Sequence, residues 1–253
     1  MRTSKECCAA HGGTSQGGEG ACAAASAGEY ETGALREVTG TTIRPGGLAL
    51  TDRAVGFCSL AAGARILDVG CGAGASVEHL VSRYGFAASG VDTSRKLIAE
   101  GVTRNPSLLL AQAAAEALPF PAESQDAILC ECVLSLVEEP FQALAEFRRV
   151  LRPGGHLMLS DMYDRSPKAE ALAPEVASDR PLSGAAGREQ LEGWVLEAGF
   201  TILLWEDHTM LLKELAASLV LAHGSLHGIC CTPAGVRPGY YLLVARKTTT
   251  MGG

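Results

Sequence analysis

Short apolar runs alternate along the chain with stretches of helical period, and glycine, proline or charge marks most of the joins. Ile66, Leu67 and Val69 make a run too short for a helix, which ends in Gly70-Cys71-Gly72-Ala73-Gly74. Val77, Leu80, Val81 and Tyr84 then recur at helical spacing, up to a Gly85 placed where a left-handed C-terminal cap belongs. A second strand closes on Val91-Asp92. Thr93 or Ser94 caps the next helix, whose partial apolar face is Leu97 and Ile98, and Pro106 halts it. Leu108 to Leu110, Ala127 to Cys132 and His156 to Ser160 read as three further buried strands. Pro140 opens a helix with Phe141, Leu144 and Val150 facing inward, and Leu191, Trp194, Val195 and Ala198 mark another that ends at Gly199. Thr201 to Glu206 and Tyr240 to Arg246 complete the set. Strands alternating with helices predict an α/β fold built on a mostly parallel sheet.

The pattern also divides the chain. Residues 1–28 are small and polar and cannot bury enough apolar area to offset their ordering entropy, so they are expected to form a disordered tail. Residues 29–64 are expected to form helices that lie over the mouth of a site as a lid. They comprise an amphipathic stretch from Glu29 to Thr42, a turn at Arg44-Pro45-Gly46-Gly47, and a helix capped by Thr51-Asp52 running toward Cys58. Residues 65–247 make the main domain, with insertions at about 165–187 and 208–238. In the second insertion, Leu211, Leu212, Leu215 and Leu219 sit at helical spacing. This is where substrate selectivity is expected.

Composition narrows the partners. With 21 basic and 28 acidic residues the net charge is −7, which disfavours a protein whose affinity comes from neutralising nucleic-acid phosphates. Lys213 and Glu214 interrupt the best candidate for a membrane span, and the first residues lack the apolar core of a signal peptide. Nine cysteines, an odd number scattered through strands and loops, point to a reducing, cytoplasmic setting. Cys7, Cys8, His11 and Cys22 in the tail match no closed zinc spacing. His223, His227, Cys230 and Cys231 hold two histidines four apart beside a vicinal thiol pair, which seldom both ligate one zinc. No metal site is therefore assigned, and the oligomeric state is not legible.

The glycine turn carries the chemistry. Alternate glycines after a strand allow positive φ and let a ligand approach the main chain, and Gly70-x-Gly72-x-x-Ala75 also satisfies a permissive dinucleotide fingerprint. Asp68 separates the alternatives: a carboxylate at the strand end repels a pyrophosphate and attracts an ammonium or a sulfonium. Asp92, ending the second strand, is placed to accept both hydroxyls of a ribose. A nucleoside with a cationic amino-acid tail fits both acids, and S-adenosylmethionine meets that description.

The chain here resembles the class I S-adenosylmethionine-dependent methyltransferases. Beyond the glycine loop, Glu116-Ala117-Leu118-Pro119-Phe120-Pro121, Gln125-Asp126-Ala127-Ile128-Leu129-Cys130, Glu139-Pro140 and Glu146-Phe147-Arg148-Arg149-Val150-Leu151-Arg152-Pro153-Gly154-Gly155 follow in the family's order, from about Arg65 to Asp161. The resemblance implies a doubly wound, Rossmann-like sheet with an antiparallel last strand. It also implies a donor site in which Asp68, Gly70, Cys71, Gly72 and Gly74 hold the methionine part, Asp92 with Thr93 the ribose, and Ala115-Glu116 the adenine, with Cys130 close by. Many relatives carry an acid for the adenine amino group where this chain has Ala114.

Ligands of open parallel sheets bind beyond the carboxyl ends of the strands, which brings Glu131, Cys132 and Asp161 forward as candidate catalytic or substrate-contacting residues. Each has a plainer reading. Cys130 and Cys132 are also typical small core residues, and Asp161 is as good a turn cap as a substrate contact. Glu131 favours the site, because a carboxylate among apolar strand residues is costly unless paired or facing a cleft. The function expected is in-line methyl transfer from S-adenosylmethionine to a small-molecule acceptor, a reaction that depends mainly on positioning. Cys130 to Leu136 and Ser160 to Tyr163 also resemble arsenite methyltransferases, whose three thiolates grip the metalloid. Cys132 falls on one such position, while the others fall near Pro45 or Gly46 and at Pro181, which carry no thiol. A nicotinamide-dependent oxidoreductase and a non-catalytic ligand- or metal-binding module are the alternatives from other classes.

Overall fold

The computed structural model describes residues 31, 33–166, 186–224 and 237–249. The tail cysteines and His11, Pro181, and the His227, Cys230 and Cys231 group lie outside the described residues, as do residues 167–185 of the first expected insertion and 225–236 of the second.

Seven strands form one sheet: β1 (Arg65–Val69), β2 (Ala87–Asp92), β3 (Leu110–Gln112), β4 (Gln125–Glu131), β5 (Leu151–Asp164), β6 (Phe200–Asp207) and β7 (Pro238–Lys247). Their order is β3-β2-β1-β4-β5-β7-β6. The first five run parallel, while β7 lies antiparallel between β5 and β6. The chain therefore winds outward from β1 to one side, then returns to lay β4 on the other. That reversal opens a crevice beyond the carboxyl ends of β1 and β4, where ligands of such sheets bind.

Side-chain alternation assigns each strand's residues to two faces. On one face Ile66, Leu129, Met158, Leu242 and Val244 are covered by Leu50, Ala54 and Val55 of α2 (Ala49–Cys58), Val77 and Leu80 of α3 (Ala75–Tyr84), and Leu212 of α7 (Thr209–His223). On the other, Leu67, Val69, Ile128, Leu157 and Leu243 meet Leu144 and Phe147 of α5 (Pro140–Val150) and Leu191, Trp194 and Val195 of α6 (Arg188–Glu197). The remaining helices are α1 (Ala34–Thr39) and α4 (Arg95–Arg104). α3 stops where Gly85 turns left-handed and returns its N–H to the Leu80 and Val81 carbonyls, and α4 starts where the Ser94 hydroxyl accepts the Leu97 N–H at 3.2 Å.

Several boundaries and orientations differ from the sequence reading. Phe141 is 49% exposed and rests edge-on against Trp194, because α5 turns only its Ala143, Leu144, Phe147 and Val150 stripe to the core. The third strand begins at Leu110, and Leu109 points out to solvent at this short sheet edge. Thr51 and Asp52 lie inside α2 instead of capping it. The Thr51 hydroxyl turns to Glu131, and Asp52 takes hydrogen bonds from His79 and Tyr84 of α3. β4 ends one residue early, since Cys132 adopts φ 57°. Residues 209–223, read as part of an insertion, form α7.

Candidate active site

The glycine turn is held from β2. Gly70 and Cys71 donate their N–H groups to the Val91 carbonyl at 2.8 and 3.0 Å, and Gly72 N–H donates to Asp92 Oδ2 at 2.8 Å. Asp92 Oδ1 accepts the Ser94 N–H at 2.7 Å, so one carboxylate ties the turn to the start of α4. At Gly70, φ is 76° and a Cβ would overlap Val133 Cγ2. Only glycine lets the turn pass this close to the loop after β4.

Beyond the turn lies a cavity of about 760 Å³. Gly70, Cys71, Gly72, Asp92 and Thr93 line one side, Ala114, Ala115 and Glu116 another, and Glu131, Cys132 and Val133 the floor. Ser135 to Glu139 and Gln142 continue the wall. Thr41, Ile43 and Arg44 cover it from the N-terminal side. This strap is fastened to α4: Ser94 Oγ donates to Glu31 at 2.7 Å, Lys96 pairs with Glu31 at 3.4 Å, and Arg36 pairs with Glu100.

Four of the residues expected from sequence do not line the cavity. Gly74 packs under Leu110 and Leu108 at the start of α3, and Cys130 is buried in the core on the far face. Asp161 is buried behind the loop after β4, where its oxygens accept from Ser135 N–H (2.9 Å), Ser135 Oγ (2.7 Å) and Met162 N–H (2.7 Å). It serves as the turn cap. Asp68 is 3% exposed beneath the floor, and burial, with Glu131 adding to the effect, pushes its carboxyl up to about 8. The acid expected to greet a cation thus has its carboxyl held well above the usual carboxylate range, with Arg44 opposing the shift.

Sequence reasoning missed the cation already in place. Arg44, read only as part of a turn, reaches under the strap with its side chain 9% exposed. Its Nη2 lies 2.9 Å from Glu131 Oε2, 2.8 Å from Thr51 Oγ1 and 3.0 Å from Ser76 Oγ, and its Nε donates to the Gly47 carbonyl at 2.9 Å. Burial works against the Arg44 charge, but Glu131 and Asp68 outweigh it and hold its pKa above the ordinary value. Burial likewise pushes the Glu131 carboxyl up, opposed by Arg44 and by the Thr51, Ser76 and Ser160 hydroxyls. Ser160 Oγ is 3.3 Å from the Tyr240 hydroxyl, which meets Cys132 Sγ at 3.0 Å. Only Arg44's position ahead of a Pro-Gly-Gly turn marked it, and a lone arginine has no period to read. Burial pushes the Cys71, Cys130 and Cys132 thiols up, so all three stay protonated.

A doubly wound sheet with a glycine turn, a β2-terminal acid and a cavity at the switch point defines the class of nucleoside-cofactor-binding α/β domains. Within it, residues 67–159 match the family model described as a methyltransferase domain. The trans-aconitate 2-methyltransferase of Methylobacterium nodulans is 33% identical over 58% of this chain, which spans 61% of that relative's length. Among solved structures, the [4+2]-cyclase SpnF superposes with a TM-score of 0.65 at 26% identity, covering 79% of this chain and 81% of that one. The phosphoethanolamine N-methyltransferase 2 of Haemonchus contortus, solved with S-adenosyl-L-methionine, superposes with a TM-score of 0.68 at 19% identity, covering 87% and 57%. These likenesses are to a methyltransferase domain over residues 67–159 and to the methyltransferase fold.

Proposed function

We propose that the protein is an S-adenosylmethionine-dependent methyltransferase acting on a small-molecule acceptor. One observation carries the reading: the turn held by Asp92, the Ala115-Glu116 wall and the Arg44–Glu131 floor all face a single cavity large enough for a nucleoside and a small partner. In this reading Gly70, Cys71 and Gly72 bring their backbone against the donor's methionine part. Asp92 and Thr93 take the ribose, and Ala115 with Glu116 takes the adenine. The donor supplies a methyl group on a good leaving group, so the protein's work is alignment and exclusion of water. Glu131 acts in this scheme as a fixed charge, since Arg44 and three hydroxyls already occupy its oxygens.

The printed activities of the relatives, on trans-aconitate and phosphoethanolamine, support a small acceptor. Net charge −7 supports one that is not nucleic acid, and the four described cysteines, all free, suit the reducing cytoplasm. No helix among the described residues is long and apolar enough to cross a membrane. A three-thiolate metalloid centre finds no support, because Cys132 keeps its proton and is bonded to Tyr240, while Pro45 and Gly46 offer no thiol. The test is incubation of the full chain with methyl-labelled S-adenosylmethionine and a small-molecule cell extract, followed by mass identification of the labelled product. Because a cyclase shares this frame, the readout is transfer of label. Failure to bind the donor, alongside binding of a nicotinamide dinucleotide, would overturn the proposal in favour of hydride transfer.

A further inference from the structure

An anion that enters a cleft gives up its water and needs fixed positive charge or free N–H groups in return. Among the described residues that line the cavity, Arg44 is the one basic side chain, set against Asp92, Glu116, Glu131, Glu138 and Glu139. Its guanidinium is already engaged. Nη2 meets Glu131 Oε2 at 2.9 Å and the Thr51 and Ser76 hydroxyls at 2.8 and 3.0 Å, while Nε donates to the Gly47 carbonyl at 2.9 Å. Arg44 and Glu131 are both buried, with side chains 9% and 4% exposed. Nη1 has no partner among the described residues and can donate to a neutral oxygen, but a carboxylate or phosphate there would face Glu131 across the same guanidinium.

The backbone offers no substitute. A glycine turn ahead of a helix ordinarily cradles an anion, because its N–H groups point outward. Here the Gly70 and Cys71 N–H groups go to the Val91 carbonyl, Gly72 N–H to the Asp92 carboxylate at 2.8 Å, and Gly74 N–H to the Cys71 carbonyl at 2.9 Å. Ile43, Val133, Leu136 and Val137 add apolar wall, which compensates no charge. Resting on the methyltransferase reading above, we propose that Glu131 is the specificity-determining residue that closes this cavity to anions, so that the methyl acceptor carries no net negative charge. Glu131 acts through Arg44, cancelling the one guanidinium that would otherwise draw carboxylates and phosphates in. Glu138 and Glu139, exposed on the wall, extend the same field toward solvent. The donor obeys the rule, since its one carboxylate travels with an ammonium and a sulfonium.

Anion exchange at pH 7 divides a small-molecule cell extract into retained anions and an unretained remainder. The full chain is incubated with methyl-labelled S-adenosylmethionine and each fraction in turn. Incorporation is expected to be about tenfold or more higher with the unretained fraction, since each uncompensated like charge in a cleft costs on the order of a factor of ten. Label taken up mainly by the retained anions would overturn the exclusion while leaving methyl transfer standing. No label from either fraction would overturn the methyltransferase reading and the exclusion together. A second measurement needs no acceptor: citrate, a small polycarboxylate, is titrated into the protein loaded with S-adenosylhomocysteine. The unaltered protein is expected to show no saturable uptake. Glu131→Gln keeps the side chain's shape and frees Arg44, and is expected to bind citrate saturably, more weakly as salt is raised. Binding no stronger in the variant than in the unaltered protein would overturn the part given to Glu131. If Glu131→Gln does not fold, Glu138→Gln combined with Glu139→Gln leaves the buried pair intact and is expected to strengthen citrate binding at low salt; no change at low salt would overturn the exclusion.

Discussion

Asp92 is the residue at which the donor reading is most exposed to test. Its two oxygens take the Gly72 and Ser94 N–H groups at 2.8 and 2.7 Å, so Asp92→Ala removes the brace of the glycine turn as well as a ribose acceptor. Hydrogen bonds to a charged acceptor contribute roughly 1.5–3 kcal/mol each when buried. Asp92 is only half-buried, and water can reach the freed N–H groups, so the loss in folding stability is expected below the buried range for two such bonds, at about 2 kcal/mol in all. The loss in donor affinity is larger, because two ribose hydroxyls lose their acceptor while the turn that meets the methionine part loosens. A loss of about 3 kcal/mol corresponds to roughly a hundredfold. Calorimetric titration with S-adenosylhomocysteine and thermal unfolding of the same samples separate the two effects. Asp92→Asn, which keeps one acceptor oxygen, is expected to fall between. If Asp92→Ala stays folded and binds within threefold of the unaltered protein, the ribose does not sit at the end of β2 and the placement of the donor is wrong.

Gly70→Ala adds a Cβ that collides with Val133 at a φ of 76°. It is expected to abolish detectable donor binding and lower the melting temperature, with partial recovery when Val133→Ala is added; a tolerated Gly70→Ala would contradict the close approach. Cys132→Ser preserves a hydroxyl partner for Tyr240 and is expected to retain methyl transfer within a few-fold, whereas a hundredfold loss would restore a thiolate role. The pH dependence of stability has a definite sign at Asp68. Its carboxyl stands near 8 when folded and near 3.9 unfolded, so the native state holds the extra proton between those values. Asp68 therefore stabilises the fold at the acid end of that window, and the contribution is lost as pH rises toward 8, by at most about 1.4 kcal/mol per unit. Urea unfolding from pH 5.5 to 8.5 should show a steeper decline for the unaltered protein than for Asp68→Asn, and equal slopes would place the proton elsewhere.

How much of this could be read from sequence divides along a physical line. The strands and helices around Arg65 to Ser160 were legible because their patterns are local: alternate burial, a proline at a helix start, a glycine after a helix end. The glycine turn and Asp92 were legible for the same reason, being contiguous or one βαβ unit apart. Asp161 could not be resolved between cap and substrate contact, since its partners are the backbone of a loop that neighbours it only in space. Phe141 was misassigned because a helix beginning at Pro140 can present its first turn to solvent and still bury Leu144. The place of Arg44 and the raised carboxyl of Asp68 were out of reach: the first depends on Arg44 meeting Glu131 across a long stretch of intervening sequence, and the second on burial and on Glu131 of the neighbouring strand, with Arg44 opposing it. Charge balance is a property of the assembled site.

The place of β7 between β5 and β6 bears on how the molecule comes into being. Among the described residues β6 has no strand neighbour except β7, and β5 gains its second neighbour only from β7. At ordinary rates of synthesis, several seconds separate the emergence of Trp205 from that of Val244. During that interval a nascent chain holds the donor-side half of its sheet with an open edge on β5 and a loose, apolar β6, an invitation to chaperones and to neighbouring ribosomes' products. Tyr240 travels on the same late strand. A newborn copy therefore acquires the last piece of its polar floor in the same motion that seals its most adhesive border.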